Sequence, residues 1–144
     1  MEKMRVLFIC GHNSARSVMA EVFLRAFAGD SFEVTSAGFE PADAVNPLVA
    51  EVMAELGFDV SGHKPQSVFD LFTQGRLFDY VITVCGETEG RCPVFPGVTK
   101  RWGWPFADPA RATGTREEQL AQVRAIRDQV REKVERPFAE VDEA

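Results

Sequence analysis

Val6-Leu7-Phe8-Ile9-Cys10-Gly11-His12-Asn13-Ser14-Ala15-Arg16-Ser17 carries the decisive reading of this chain. Four consecutive apolar residues closed by a glycine read as a buried strand, and the apolar spacing after Arg16 reads as a helix. The residues between them therefore form a strand-to-helix loop. Backbone N–H groups in such a loop point inward and, with the helix N-terminus, hold a tetrahedral anion. Gly11, His12, Asn13, Ser14, Ala15 and Arg16 are the expected cradle, with Asn13 bracing it through its side chain and His12 contributing its backbone N–H. Arg16 adds a planar fork that matches phosphate-like oxygens, and its positive field favours the thiolate of Cys10. Ser17 is placed to donate a hydrogen bond that steadies the sulfur. A lone Cys is most often a small packing residue, but the five-residue spacing to Arg16 between a strand and a helix points to a nucleophile.

The rest of the chain builds outward from this loop. Residues 4–10 read as the first strand and residues 16–28 as a helix with Met19, Val22, Phe23, Ala26 and Phe27 on one face, stopped at Gly29. Residues 32–37 read as a second strand. Asn46 and Pro47 open a helix whose Val49, Val52, Met53 and Leu56 recur at helical spacing, ended by Gly57. A shorter helix is expected over residues 67–75, and residues 80–85 read as a strand buried on both faces. Gly86 to Gly97 is polar, then proline-rich, with few apolar residues of its own. Residues 99–104 form a last short strand. Thr115 and Glu118 make a capping box for a final helix lined by Leu120, Val123, Ile126, Val130 and Val134. Strands alternating with helices predict a single-domain α/β fold: a parallel sheet of about four strands with helices on both faces and ligands at the strands' carboxyl ends.

Composition narrows the function classes. At 144 residues the whole chain, 1–144, suits one domain whose core needs no disulfide staples. A net charge of −6 argues against the basic stripe that nucleic acids and anionic membranes require, so an anion must be held locally. No apolar run reaches the length of a membrane span, and the N-terminus leads into a strand without a signal-peptide pattern. A cytoplasmic monomer is expected. Three cysteines in a reducing compartment favour redox or catalytic use over a structural bridge.

Cys-x5-Arg-Ser directly after the first strand, with Asp108-Pro109 late in the chain, resembles the low-molecular-weight protein tyrosine phosphatases over nearly the whole length. Cys85 and Cys92, seven residues apart and followed by Pro93-Val94-Phe95-Pro96, resemble the branch of arsenate reductases that relays oxidation through three cysteines. Trp102-Gly103-Trp104-Pro105-Phe106-Ala107-Asp108-Pro109-Ala110 is similar to their Trp-Gly-Phe-x-Asp-Pro-Ala segment. The resemblance implies arsenate or a phosphate-like oxyanion as ligand, Asp108 as general acid and thioredoxin as reductant. Cys85 would attack the Cys10 sulfur, and Cys92 would then take over the disulfide. Seven residues of α-helix would hold two Cα atoms about 10 Å apart, too far for a disulfide. A helical 86–91 segment would therefore have to unwind on oxidation. Some related reductases hold potassium through an Asn, a Glu, a Ser and an Asp. Asn13, Glu21 and Ser36 match three of these, while the fourth place holds Gln66, whose neutral amide weakens a cation site.

Three other readings compete. A tyrosine phosphatase would want aromatic residues around its pocket, yet Ala110 follows Asp108-Pro109 and Trp102 and Trp104 suit core packing. Weak activity on small aryl phosphates is still expected from the cradle and acid. A non-catalytic phospho-ligand or redox-sensing module needs neither nucleophile nor acid. A zinc site lacks the usual Cys-x2-Cys pair. His63, between Gly62 and Lys64, reads as a loop residue.

Overall fold

Strand β1 (Met4–Cys10) is buried along its carboxyl half because it pairs on both sides: with β2 (Phe32–Gly38) and with β3 (Tyr80–Thr83). Strand β4 (Lys100–Gly103) extends the sheet beyond β3, giving the parallel order β2-β1-β3-β4. The computed structural model describes residues 3–84, 98 and 100–143, with side chains as far as residue 138. Cys85, Cys92 and the expected 86–91 segment lie outside the described residues.

Side chains alternate along β1, so Val6 and Phe8 face one layer while Leu7 and Ile9 face the other. The larger layer holds α1 (Arg16–Ala28), α2 (Pro47–Ala54) and α4 (Arg116–Glu143); the smaller is closed by α3 (Val68–Thr73). Helices on both faces explain why β3 is buried throughout. The expected α/β class and parallel sheet are what the structure shows.

Local signals act as read. Asn46 accepts from Leu48 N at 2.9 Å ahead of Pro47, and Gly57 takes a left-handed φ of 87° after α2. Thr115 and Glu118 exchange hydrogen bonds at the start of α4. The buried face of α1 differs from the expected stripe. Val18, Met19, Ala20, Phe23, Leu24 and Ala28 are buried, whereas Ala26 is exposed and Phe27 is 40% exposed. This helix is covered by the sheet on one side and by α4 on another, so its apolar arc is wide and turned from a single-face stripe. Gly29 does stop α1, but in right-handed rather than left-handed geometry; a Cβ there would lie 2.4 Å from the Arg25 carbonyl oxygen. The final helix continues past Val134 and through Pro137, because Phe138 is fully buried against Phe32, Tyr80, Trp102 and Trp104. Trp102 and Trp104 stack on each other at 5.6 Å and belong to this cluster, as their core reading requires.

Candidate active site

The loop between β1 and α1 is shaped by the segment that follows β2. Phe39, Glu40, Ala42 and Asn46 donate their backbone N–H groups to the carbonyls of Cys10, Gly11, His12 and Ser14, at 2.8–3.3 Å. In a trans peptide the C=O and the next N–H point in opposite directions. Tying four carbonyls to residues 39–46 therefore turns the N–H groups of Gly11, His12, Asn13 and Ala15 toward the other side, where an anion would sit. Asn13 adopts φ 51°, a left-handed conformation that asparagine tolerates better than most side chains. Gly38 lies directly beneath, at the β2 position paired with Cys10. A Cβ on Gly38 would stand 2.7 Å from Asn13 N and 2.9 Å from His12 C.

The sulfur of Cys10 is met by two donors. Asn13 N–H points to it at 3.2 Å, and Ser17 Oγ lies 2.9 Å away. The direction of the second bond follows from the surrounding network. Gln66 N, which can only donate, lies 3.0 Å from Asn13 Oδ1 and so fixes which end of that amide is oxygen. Asn13 Nδ2 then donates to Ser17 Oγ and to Ser36 Oγ, both at 2.9 Å. Ser17 accepts from Asn13, leaving its own proton for Cys10. Ser36 likewise accepts from Asn13 and donates its O–H to Glu21 Oε1 at 2.5 Å. The arrangement delivers two donated hydrogen bonds to a buried sulfur.

Arg16 begins α1 and is buried. Its Nη1 donates to the Phe106 carbonyl at 3.0 Å, and its Nη2 stands 3.9 Å from Asp108 Oδ2. The other Asp108 oxygen accepts from Ala110 N at 2.9 Å and caps the 3₁₀ turn Pro109–Arg111. Asp108 is thus both a turn residue and a carboxylate presented to Arg16. A cavity of about 610 Å³ opens beside this pair, with Phe106 and Ile126 among its apolar walls and Arg111 at its edge.

Cys10, Asn13, Arg16, Ser17 and Asp108 are brought together as expected, while Cys85 and Cys92 fall outside the described residues. The described chain leaves β3 at Val84, whose N–H bonds to the Ile9 carbonyl at 2.9 Å, one residue from Cys10. His12 is exposed and its Nδ1 lies 2.8 Å from the Glu40 carbonyl, so its ring helps to pin the loop in addition to its backbone.

His63 is not the plain loop residue that its neighbours suggested. Its Nε2 lies 3.1 Å from Asn13 Oδ1, an acceptor, so this nitrogen carries a proton. Burial draws the His63 imidazole below its ordinary value; the Glu21 carboxylate and the bond to Asn13 pull it back up, and Arg25 opposes them. Fifty residues separate His63 from Asn13, and no local pattern announces such a contact.

A buried cysteine at the carboxyl end of a central parallel strand, with inward N–H groups, an arginine and an acid beside it, is the arrangement of an enzyme class that acts on tetrahedral oxyanions. Residues 5–144 match the family model for low molecular weight phosphotyrosine protein phosphatase. An arsenate reductase from Bacillus licheniformis is 40% identical over 145 residues, covering 99% of this chain and all of the relative. The solved structure of an arsenate reductase in the oxidised state superposes with a TM-score of 0.80 at 30% identity, over 95% of this chain and 98% of the other. A thioredoxin-dependent arsenate reductase from Corynebacterium glutamicum gives 0.61 at 32% identity, over 92% of this chain and 62% of that longer one. The chain belongs to the low molecular weight phosphotyrosine protein phosphatase family and, within it, to the arsenate reductases.

Proposed function

We propose that this protein reduces arsenate to arsenite, with Cys10 as nucleophile and thioredoxin as reductant. The observation that carries the reading is the polarity of the Cys10 network: Ser17 and Asn13 both donate to the sulfur, as a thiolate nucleophile requires. Identity to arsenate reductases over nearly the full length supports arsenate as the substrate.

Arsenate enters the cradle of residues 11–16 and is held by inward N–H groups and Arg16. The Cys10 thiolate attacks arsenic(V) and displaces an oxygen that Asp108 protonates, so that it leaves as water. Cys85 then attacks the Cys10 sulfur; the sulfur–arsenic bond breaks and its electron pair stays with arsenic, releasing arsenite. Cys92 attacks Cys85, freeing Cys10 and leaving a Cys85–Cys92 disulfide that the dithiol of thioredoxin reduces. A reducing cytoplasm fits this cycle, as does a monomer with a net charge of −6.

Hydrolysis of small aryl phosphates is the second reading. The cavity beside Arg16 and Asp108 offers apolar walls to an aryl leaving group, and a phosphorylated Cys10 would be released by water.

Arsenate-dependent NADPH consumption with thioredoxin and thioredoxin reductase tests both. The wild type turns over, Cys10→Ser and Cys85→Ser are inactive, and Cys92→Ser completes a single turnover. Aryl phosphate hydrolysis through Cys10 without any arsenate-dependent NADPH use would replace reduction by phosphatase activity.

A further inference from the structure

The oxygen set that resembles a potassium site, Asn13, Glu21 and Ser36, is already served by N–H and O–H donors. Asn13 Oδ1 accepts from His63 Nε2 and Gln66 N, which uses both of its lone pairs. The Ser36 carbonyl accepts from Gln66 Nε2 at 2.9 Å, so the residue at the fourth place turns its donor end toward the set. Glu21 is buried and needs a positive partner; its Oε1 accepts from the Ser36 O–H and its Oε2 pairs with Arg25 Nη2 at 2.8 Å. Arg25 is itself held by the Val34 carbonyl at 2.8 Å. A bare monovalent cation requires several free oxygen lone pairs converging on one point. Here each of these oxygens faces an N–H or O–H, so the residues do not fit the ion.

We infer that Arg25 supplies the charge that a bound potassium ion would bring, and that the anion loop of this protein is indifferent to potassium. The Arg25–Glu21 pair neutralises the carboxylate that Ser36 connects to Asn13, and through Asn13 to Ser17 and Cys10. The inference rests on the oxyanion-site reading only in its phosphate-binding arm, and neither arm needs arsenate turnover.

The test compares Tm and inorganic phosphate affinity in potassium, sodium and choline chloride at equal ionic strength. The wild type shows the same Tm and Kd in all three salts. Arg25→Gln leaves Glu21 uncompensated: its Tm and phosphate affinity fall by the same amount in all three salts, because the other oxygens of the set keep their donors. Arg25→Lys keeps the charge and behaves as wild type. A filled site stabilises by mass action and lifts Tm by several degrees at roughly a hundred-fold excess over its Kd. A potassium-selective rise of that size in the wild type would overturn the inference. So would an Arg25→Gln protein that is unchanged, or whose loss potassium alone reverses.

Discussion

Replacing Gly38 by alanine tests how tightly the anion loop is seated on the sheet. The new Cβ would meet Asn13 N at 2.7 Å, His12 C at 2.9 Å and Gly11 O at 3.0 Å, all of them backbone atoms that no rotamer change can move. Ordinary contact begins near 3.4 Å, so the loop must retreat by about 0.7 Å or β2 must yield by as much. Overpacking of this kind costs about 1–3 kcal/mol, which for a chain of this length lowers Tm by roughly 3–10 °C. The functional cost is separate. Displacing the donors of an oxyanion cradle by about 1 Å costs on the order of 100-fold in rate, so a retreat of this size lowers arsenate kcat/KM by at least about 10-fold. Inorganic phosphate titration by calorimetry, thermal melts and coupled turnover read the three effects, with Gly62→Ala as control because a Cβ there meets nothing within 4 Å. A Gly38→Ala protein that melts and binds phosphate like the Gly62→Ala control would refute the argument that this glycine seats the loop.

Ser17→Ala removes the hydroxyl donor at 2.9 Å from the Cys10 sulfur; hydrogen bonds to charged groups contribute about 1.5–3 kcal/mol. Iodoacetamide labelling of Cys10 and arsenate kcat/KM both slow by about 10- to 100-fold, and a change within two-fold would contradict the assigned direction of that bond. His63 is held below its ordinary value chiefly by burial, so the unfolded chain binds a proton more readily than the folded one. Its contribution to stability is complete above about pH 6.5 and is lost as the pH falls from there through the folded-state value. Tm in the wild type therefore drops more steeply on acidification through this window than in His63→Gln, and parallel curves would rule the linkage out. Phe138→Ala empties the centre of the aromatic cluster and costs about 3–5 kcal/mol in urea unfolding; a loss below about 1 kcal/mol would mean that the end of α4 is not part of the core.

Most of the sheet was legible in the sequence because its signals are local. The apolar run Val6–Ile9, the cap Asn46-Pro47 and the Thr115/Glu118 box each act within a few residues, and each behaves as read. The cradle was legible for the same reason, since Cys10 to Ser17 is one continuous stretch. What escaped depends on contacts between distant parts of the chain. The face of α1 turned because α4 covers it from about a hundred residues away, and α4 ran beyond Val134 because Phe138 finds its partners on β2, β3 and β4. Glu21, a charged residue within α1, is buried because Ser36 and Arg25 satisfy both carboxylate oxygens. His63 reaches Asn13 only once α2 and the turn after it have carried the chain back over the loop.

The stacked indoles of Trp102 and Trp104 give the protein a built-in optical probe. They are the chain's two tryptophans, their rings lie within 5.6 Å of each other at 18°, and they stand just ahead of the residues that lead to Phe106 and Asp108. Intrinsic emission at the red edge of the absorption band therefore reports on one place, the docking of β4 against Phe138 and the approach to the acid. A shift in that emission when an oxyanion binds would be a local signal from the segment that leads into the site rather than an average over the molecule.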